Sequence, residues 1–338
     1  MSQSNGLIGI FPVKMNQGSY NFRHMGEFEI LKSIEEGDFS EVFLAKSKNA
    51  NEFGSSNTFK YVIKIYKKFI ISNDDSELNF KKKILFYEIS EINILNRIKN
   101  LGNPNLIKMH DWAINRETCQ VSLLMEYMPY DLRNYFSKEE NLINLDENLL
   151  KKIAFQILNG LYTLHKNRII HFDLKPEKIL FDPSNKSIKI ADFVASRFIT
   201  YDSDKKVFNG LTYSYMPVEG LLETKKYSFS YDIWSLGCIL IELCCGQMPF
   251  KGNDKDKVLN NILLLFGLNN NSLTNFDEYC KNSLDEDIQK KRLINYIKIN
   301  QKIKFISDDF CELIAKMLCI NPRNRIKAEE ALDILGYL

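Results

Sequence analysis

The chain has 338 residues, enough for one large two-lobed domain or two ordinary ones, and its 45% apolar content is enough to bury a core, which excludes a disordered chain. Lys plus Arg (45) nearly balances Asp plus Glu (43), so no overall field points toward nucleic acid, and a short block such as Lys81–Lys83 reads as a solvated helix face. The 7 cysteines form an odd set without C-x-x-C spacing, which argues against a zinc site and a closed disulfide framework, and Cys244 and Cys245 read as packed thiols.

Taken in chain order, residues 1–27 mix Gly, Asn, Ser and Gln without periodicity and read as a loosely docked tail with no secretory signal. From Phe28, "EFEILKSIEEGDFSEVFLAKSK" alternates apolar and polar residues on either side of a turn at Gly37, predicting two antiparallel strands. A polar loop at 49–57 leads to a third strand over 60–68. The run 78–101 spaces its apolar residues at three and four, predicting an amphipathic helix that ends at "GNPN". Two more strand-like runs follow, "NLIKMHDWAI" and "QVSLLMEYM", and the remainder is mainly helical. The longest apolar segment, 233–245, carries Glu242 and is too short to span a bilayer, so a reducing cytoplasmic or nuclear location is expected, with no membrane partner. Strands first and helices after predict an α+β protein with two lobes.

Short motifs punctuate this order: "EEGDFSEV" (35–42), "YVIK" (61–64), a helix bearing Glu91, "HFDLKPEK" (171–178), "DFV" (192–194), "PVE" (217–219) and "YDIWSLG" (231–237). Each is weak alone. In this order and spacing the chain resembles the eukaryotic protein kinase family from about Phe28 to its last residue. "LHKNRIIHFDLKPE" and "EINILNRI" are most similar to the group of cyclin-dependent, dual-specificity tyrosine-regulated and CDC-like kinases. So is the long interval between Glu219 and Arg325, two residues that the resemblance pairs.

The resemblance implies a bilobal kinase fold, with a small antiparallel sheet and one helix in an N-lobe with hinge (28–128) and a mainly helical C-lobe (129–338). It implies ATP and Mg2+ as cofactors, and a protein substrate or protein binding partner. Lys64 is then the lysine that grips the α- and β-phosphates and Glu91 its helix partner, with Glu88, one turn away, as the rival. Backbone groups of Glu126 and Met128 bind adenine, with Met125 behind it, while Ile34, Val42, Val62 and Leu180 form apolar walls and equally suit a plain core. Gly37 is the glycine kept from the phosphate-covering loop. Asp173 orients and deprotonates the substrate hydroxyl, Lys175 meets the γ-phosphate, Asp192 holds the metal, and Asp232 anchors the catalytic loop.

Several positions leave the family pattern. Glu35 and Ser40 replace two phosphate-loop glycines, and a carboxylate at 35 crowds and repels phosphate. Val194 stands where a glycine follows Asp192-Phe193. Phe172 replaces the arginine that clamps a phosphorylated loop, and Ser90 supplies no basic residue in its place. Met216, Pro217 and Val218 replace Arg-Ala-Pro, which removes a basis for proline-directed specificity. Lys178 takes the place of a metal-binding Asn, and an ammonium has three donors and no acceptor. Two readings stay open: a pseudokinase or scaffold that binds ATP with weak or absent transfer, and an unconventional Ser/Thr kinase that retains Lys64, Glu91, Asp173, Lys175, Asp192 and Thr212.

Overall fold

The computed structural model describes residues 19–22, 24–37, 40–48, 60–67, 88–115, 120–199, 212–224, 227–268, 276–281 and 286–337. They fall into two compact units, one ending at Tyr127 and the other running from Met128, with Asn103–Leu106 clustering in the second.

In the first unit, alternating apolar residues build one six-stranded antiparallel sheet in the order β1-β2-β3-β4-β6-β5. The strands are β1 (Ser19–Phe22), β2 (Gly26–Glu36), β3 (Ser40–Ser47), β4 (Lys60–Tyr66), β5 (Met109–Ile114) and β6 (Val121–Glu126). The expected turn at Gly37 is closed by its N–H on the Ser40 carbonyl, 2.9 Å.

The tail expected over 1–27 differs here. Ser19–Phe22 pair in register with Glu29–Gly26. The reason lies in two aromatics: Tyr20 and Phe22 are buried against Phe28, and the Phe22 and Phe28 rings meet edge to face at 5.7 Å. Residues 1–18 lie outside the described residues.

A helix, α1, covers 88–99, burying Glu88, Glu91, Ile92, Ile94, Leu95 and Ile98 while Asn93, Asn96 and Arg97 face outward, the period of an amphipathic helix. The expected start of this helix, 78–87, falls outside the described residues.

The second unit is mainly helical. Its axis is α6 (Ser230–Cys245), buried almost all round as its near-continuous apolar sequence requires, and stopped by Gly246 at φ 66°. Around it lie α4 (Glu147–Lys166), capped by the Asp146 carboxylate on the Leu149 N–H, and α10 (Asp308–Met317), capped by Ser307. The other helices are α2 (Leu132–Phe136), α3 (Glu139–Ile143), α5 (Val218–Leu221), α7 (Lys255–Phe266), α8 (Phe276–Lys281), α9 (Glu286–Asn300) and α11 (Ala328–Tyr337), the last packed on α4. Two small sheets carry the loops that matter. The first joins β7 (Tyr130–Asp131), β9 (Ile179–Asp182) and β10 (Ser187–Ile190), and the second joins β8 (Ile169–Ile170) to β11 (Arg197–Phe198).

The strand expected over 105–114 is split between the two units. Only Met109–Ile114 pairs with β6, whereas Asn105 donates to the Ile188 carbonyl (3.0 Å) and Leu106 bridges Ile190. Cys244 is fully buried and desolvation pushes its thiol well above the ordinary range, while burial pushes Cys245 up to about 12, as packed thiols require. Among the described residues no helix is long and apolar enough to cross a membrane.

Arg325 and Glu219 meet as expected: Nη1 to Oε1 is 2.8 Å, with side-chain exposures of 0% and 3%. The guanidinium also donates to the carbonyls of Ser230 and Cys319 and lies 5.0 Å over the Trp234 ring. Removing one partner of such a pair strands a buried charge, a loss of about 3–5 kcal/mol. Arg325→Leu should therefore destabilise the second unit by about that amount in urea unfolding followed by tryptophan fluorescence, whereas a loss below about 1 kcal/mol is what a surface pair would give.

Candidate functional site

In the first unit the β-ladder sets the geometry. Residues directly opposite one another share a sheet face, and Glu35 faces Val42, Val42 faces Lys64, and Val62 faces Met125. Val42, Val62, Lys64 and Met125 thus line one face, with Glu35 beside them on the exposed strand edge. Ile34 is 48% exposed, and Val42, Val62 and Met125 are half-buried.

Lys64 Nζ donates to both Glu91 oxygens, at 3.0 and 2.9 Å, in a pair whose side chains are 8% and 1% exposed. Tyr66 also donates to Glu91. The carboxylate that Lys64 meets is therefore Glu91, one turn beyond Glu88. Burial pushes the Glu88 carboxyl up to about 7, a poor setting for a permanent counter-charge.

The Glu126 N–H is engaged by the Lys108 carbonyl at 3.1 Å, and its side chain accepts from the Lys108 N–H at 2.7 Å. A Cβ added at Gly37 would stand 3.5 Å from the Ser40 carbonyl, an ordinary contact, so the turn geometry itself does not demand glycine.

In the second unit the loop 171–178 hangs from one buried carboxylate. Asp232, at the start of α6, accepts from the N–H groups of His171 (3.0 Å) and Phe172 (2.9 Å), and lies 2.9 Å from His165 Nε2. This is the anchor that the sequence places there. It holds Phe172 at φ 67°, a left-handed backbone that costs a non-glycine residue free energy unless its surroundings fix it.

The surroundings are aromatic. Phe172 is buried and meets Tyr227 and Tyr231 edge to face at 5.6 and 5.2 Å, so the position expected of a phosphate-clamping arginine is an apolar lock. His171 Nε2 approaches the Ala191 carbonyl at 3.0 Å, joining the loop to the segment that carries Asp192. Val194 lies outside the left-handed region, so this conformation makes no use of the freedom a glycine would bring.

Asp173, Lys175, Lys178 and Asp192 converge. Lys178 sits in a tight 3-10 turn, Pro176–Lys178, with its N–H on the Lys175 carbonyl and its carbonyl accepting from the Ala191 N–H, both 2.9 Å. From there its ammonium reaches Asp192 Oδ2 at 2.9 Å and is also bonded to Asp173 Oδ2. Burial alone would depress this ammonium, but Asp192 and Asp173 outweigh it and hold the group well above the ordinary lysine range. Lys178 is therefore a fixed cation at any physiological pH.

Lys175 donates to Thr212 Oγ1 at 2.9 Å and lies 4.0 Å from Asp173, whose Oδ1 accepts from the Thr212 N–H at 3.4 Å. Leu180, on β9, is half-buried, as is Met128. Two unit charges about 4 Å apart interact by about 4 kcal/mol at an effective dielectric near 20. The lysine is therefore what allows two carboxylates to share this small space.

One network escapes the motif reading. Arg133 on α2 donates to Glu177 at 2.9 Å and is bonded to Glu242 and the Tyr215 hydroxyl, which itself donates to Glu242 at 2.6 Å. It ties the turn holding Lys178 to α2, α6 and the segment after Thr212. No local pattern could signal it, since the partners stand as far as 109 residues apart.

Comparison with known proteins agrees with this geometry. Residues 28–334 match the protein kinase domain family. Cyclin-dependent kinase 1 of Encephalitozoon cuniculi is 30% identical over 314 residues, covering 90% of this chain and 95% of the relative. Cyclin-dependent kinase B2-1 of Arabidopsis thaliana is 28% identical over 94% of this chain and 96% of its own, and cyclin-dependent kinase 14 of Xenopus tropicalis is 28% identical over 92% and 68%. With the ordered motifs, the buried Lys64–Glu91 and Arg325–Glu219 pairs and the Asp232-anchored loop, the chain belongs to the eukaryotic protein kinase family and is similar to its cyclin-dependent members.

Proposed function

We propose that this protein is a kinase-fold module that binds ATP and transfers its γ-phosphate to protein hydroxyls slowly or not at all, acting chiefly through a protein partner. One observation carries the reading: the Lys178 ammonium occupies both carboxylates, Asp173 and Asp192, on which transfer depends in the family.

Binding needs fewer groups than transfer does. Lys64, fixed by Glu91, is the phosphate grip, and Val42, Val62 and Met125, on the same sheet face, offer adenine an apolar wall. Because the Glu126 N–H is taken by Lys108, an adenine contact at 126 falls to its carbonyl, with Met128 as the second backbone contact. Glu35, facing the same side as Val42, weakens the affinity by repulsion.

Transfer asks more. A substrate hydroxyl approaching Asp173 must share or displace an ammonium on Oδ2. Magnesium, which the family uses with ATP, fits these residues poorly: Asp192 supplies a carboxylate, but its neighbour is a cation with no lone pair to give.

The second reading, an active unconventional Ser/Thr kinase, draws on Lys175, Thr212 and Asp173, which lie in contact around the position where a hydroxyl would be aimed. A cytoplasmic or nuclear setting suits both, since Cys238, Cys244, Cys245 and Cys311 are unpaired thiols.

Three measurements test this. Millimolar ATP should raise the melting temperature, because a ligand at ten times its Kd adds about 1.4 kcal/mol, a shift of a few degrees, and the absence of any shift or calorimetric heat removes the nucleotide reading. Labelled phosphate from ATP should reach a generic basic protein little faster with wild type than with Asp173→Asn. A wild-type rate in the ordinary kinase range, ~1–100 per second, establishes the second reading. Finally, phosphorylation between Ala195 and Tyr215 should leave transfer unchanged, because Phe172 offers it no charge; a several-fold gain reversed by phosphatase contradicts the aromatic lock.

A further inference from the structure

Resting on the nucleotide reading above, we infer that Lys178 stands in for the divalent cation, so that the ligand of this site is a metal-free nucleoside di- or triphosphate.

The seat is built. The Lys178 side chain is 11% exposed, its backbone is bonded on both sides, and its ammonium is held between two carboxylates. A divalent ion entering at Asp192 must share the carboxylate with an ammonium 2.9 Å from Oδ2, and must then stand beside that positive charge. No other place compensates: among the described residues no group of three or more His, Cys, Asp or Glu side chains gathers to hold a metal.

Charge balance points the same way. Asp173 and Asp192 are matched by Lys175 and Lys178, so the cluster is neutral as it stands. With an uncharged residue at 178 it would carry a net negative charge, and polyphosphate would need a metal to approach. With lysine there, the phosphates exchange for a carboxylate on an ammonium already in position. Lys178 accordingly reads as a specificity-determining residue: it selects the metal-free form of the ligand over the magnesium complex.

The test is calorimetric titration of ADP and ATP into the full chain, once with EDTA and once with excess magnesium, with tryptophan fluorescence confirming that each variant is folded. Wild-type Kd values in the two conditions should agree within about threefold. Lys178→Met, which keeps the bulk and loses the charge, should weaken metal-free binding about tenfold with no rescue by magnesium, while Lys178→Arg retains it. Lys178→Asn should acquire a magnesium requirement, binding about tenfold tighter with the metal than without.

Wild type that binds about tenfold tighter with magnesium overturns the inference and leaves the nucleotide reading standing. So does a Lys178→Met protein that keeps full metal-free affinity. Absence of binding by wild type and every variant in both conditions overturns the nucleotide reading itself, and this inference with it. The wild-type comparison decides the matter even if one of the variants does not fold.

Discussion

The organisation of the second unit depends on one buried carboxylate. Asp232 is 0% exposed, and such a charge persists only with partners. It finds them in the two consecutive N–H groups of His171 and Phe172 and in His165. That choice folds the chain back at Phe172 into a conformation it would otherwise avoid and sends Asp173 toward Thr212 and Lys178. Because α6 is itself buried nearly all round, the anchor cannot drift, and the loop inherits the rigidity of the core.

On this frame Phe172 and Lys178 set the local order in two different ways. At 172 an aromatic ring is enclosed by Tyr227 and Tyr231, so order near the loop comes from packing. At 178 an ammonium draws together two carboxylates that would otherwise repel one another. Both arrangements are built from the chain's own side chains. The Lys64–Glu91 pair is likewise buried and doubly hydrogen-bonded.

Much of this was legible in the sequence because it is local or motif-borne. Alternation around Gly37 marked the β2–β3 hairpin, and the ordered motifs named Lys64, Glu91, Asp173, Lys175, Asp192 and Asp232 before any geometry was known. What stayed hidden is long-range. Tyr20 and Phe22 sit in a stretch without periodicity, and only their burial against Phe28 makes a strand of it. Asn105 and Leu106 read as part of a strand, yet their hydrogen-bond partners come from β10. The Arg133–Glu242–Tyr215 network joins residues whose meeting is a property of the fold alone. For Lys178, the sequence shows an ammonium with three donors and no acceptor; only the fold shows that it takes two carboxylates at once.

If the shared ammonium holds back transfer, single-turnover phosphotransfer by Lys178→Asn in magnesium should outpace that of wild type. Removing the cation frees Asp173 and Asp192 together and supplies an amide oxygen beside them, so even ~3 kcal/mol of recovered barrier accelerates the step roughly a hundredfold. A gain on that order is expected, abolished when Asp173→Asn is added. A wild type already turning over at ordinary kinase rates, and slowed by the substitution, would instead make Lys178 a working catalytic residue.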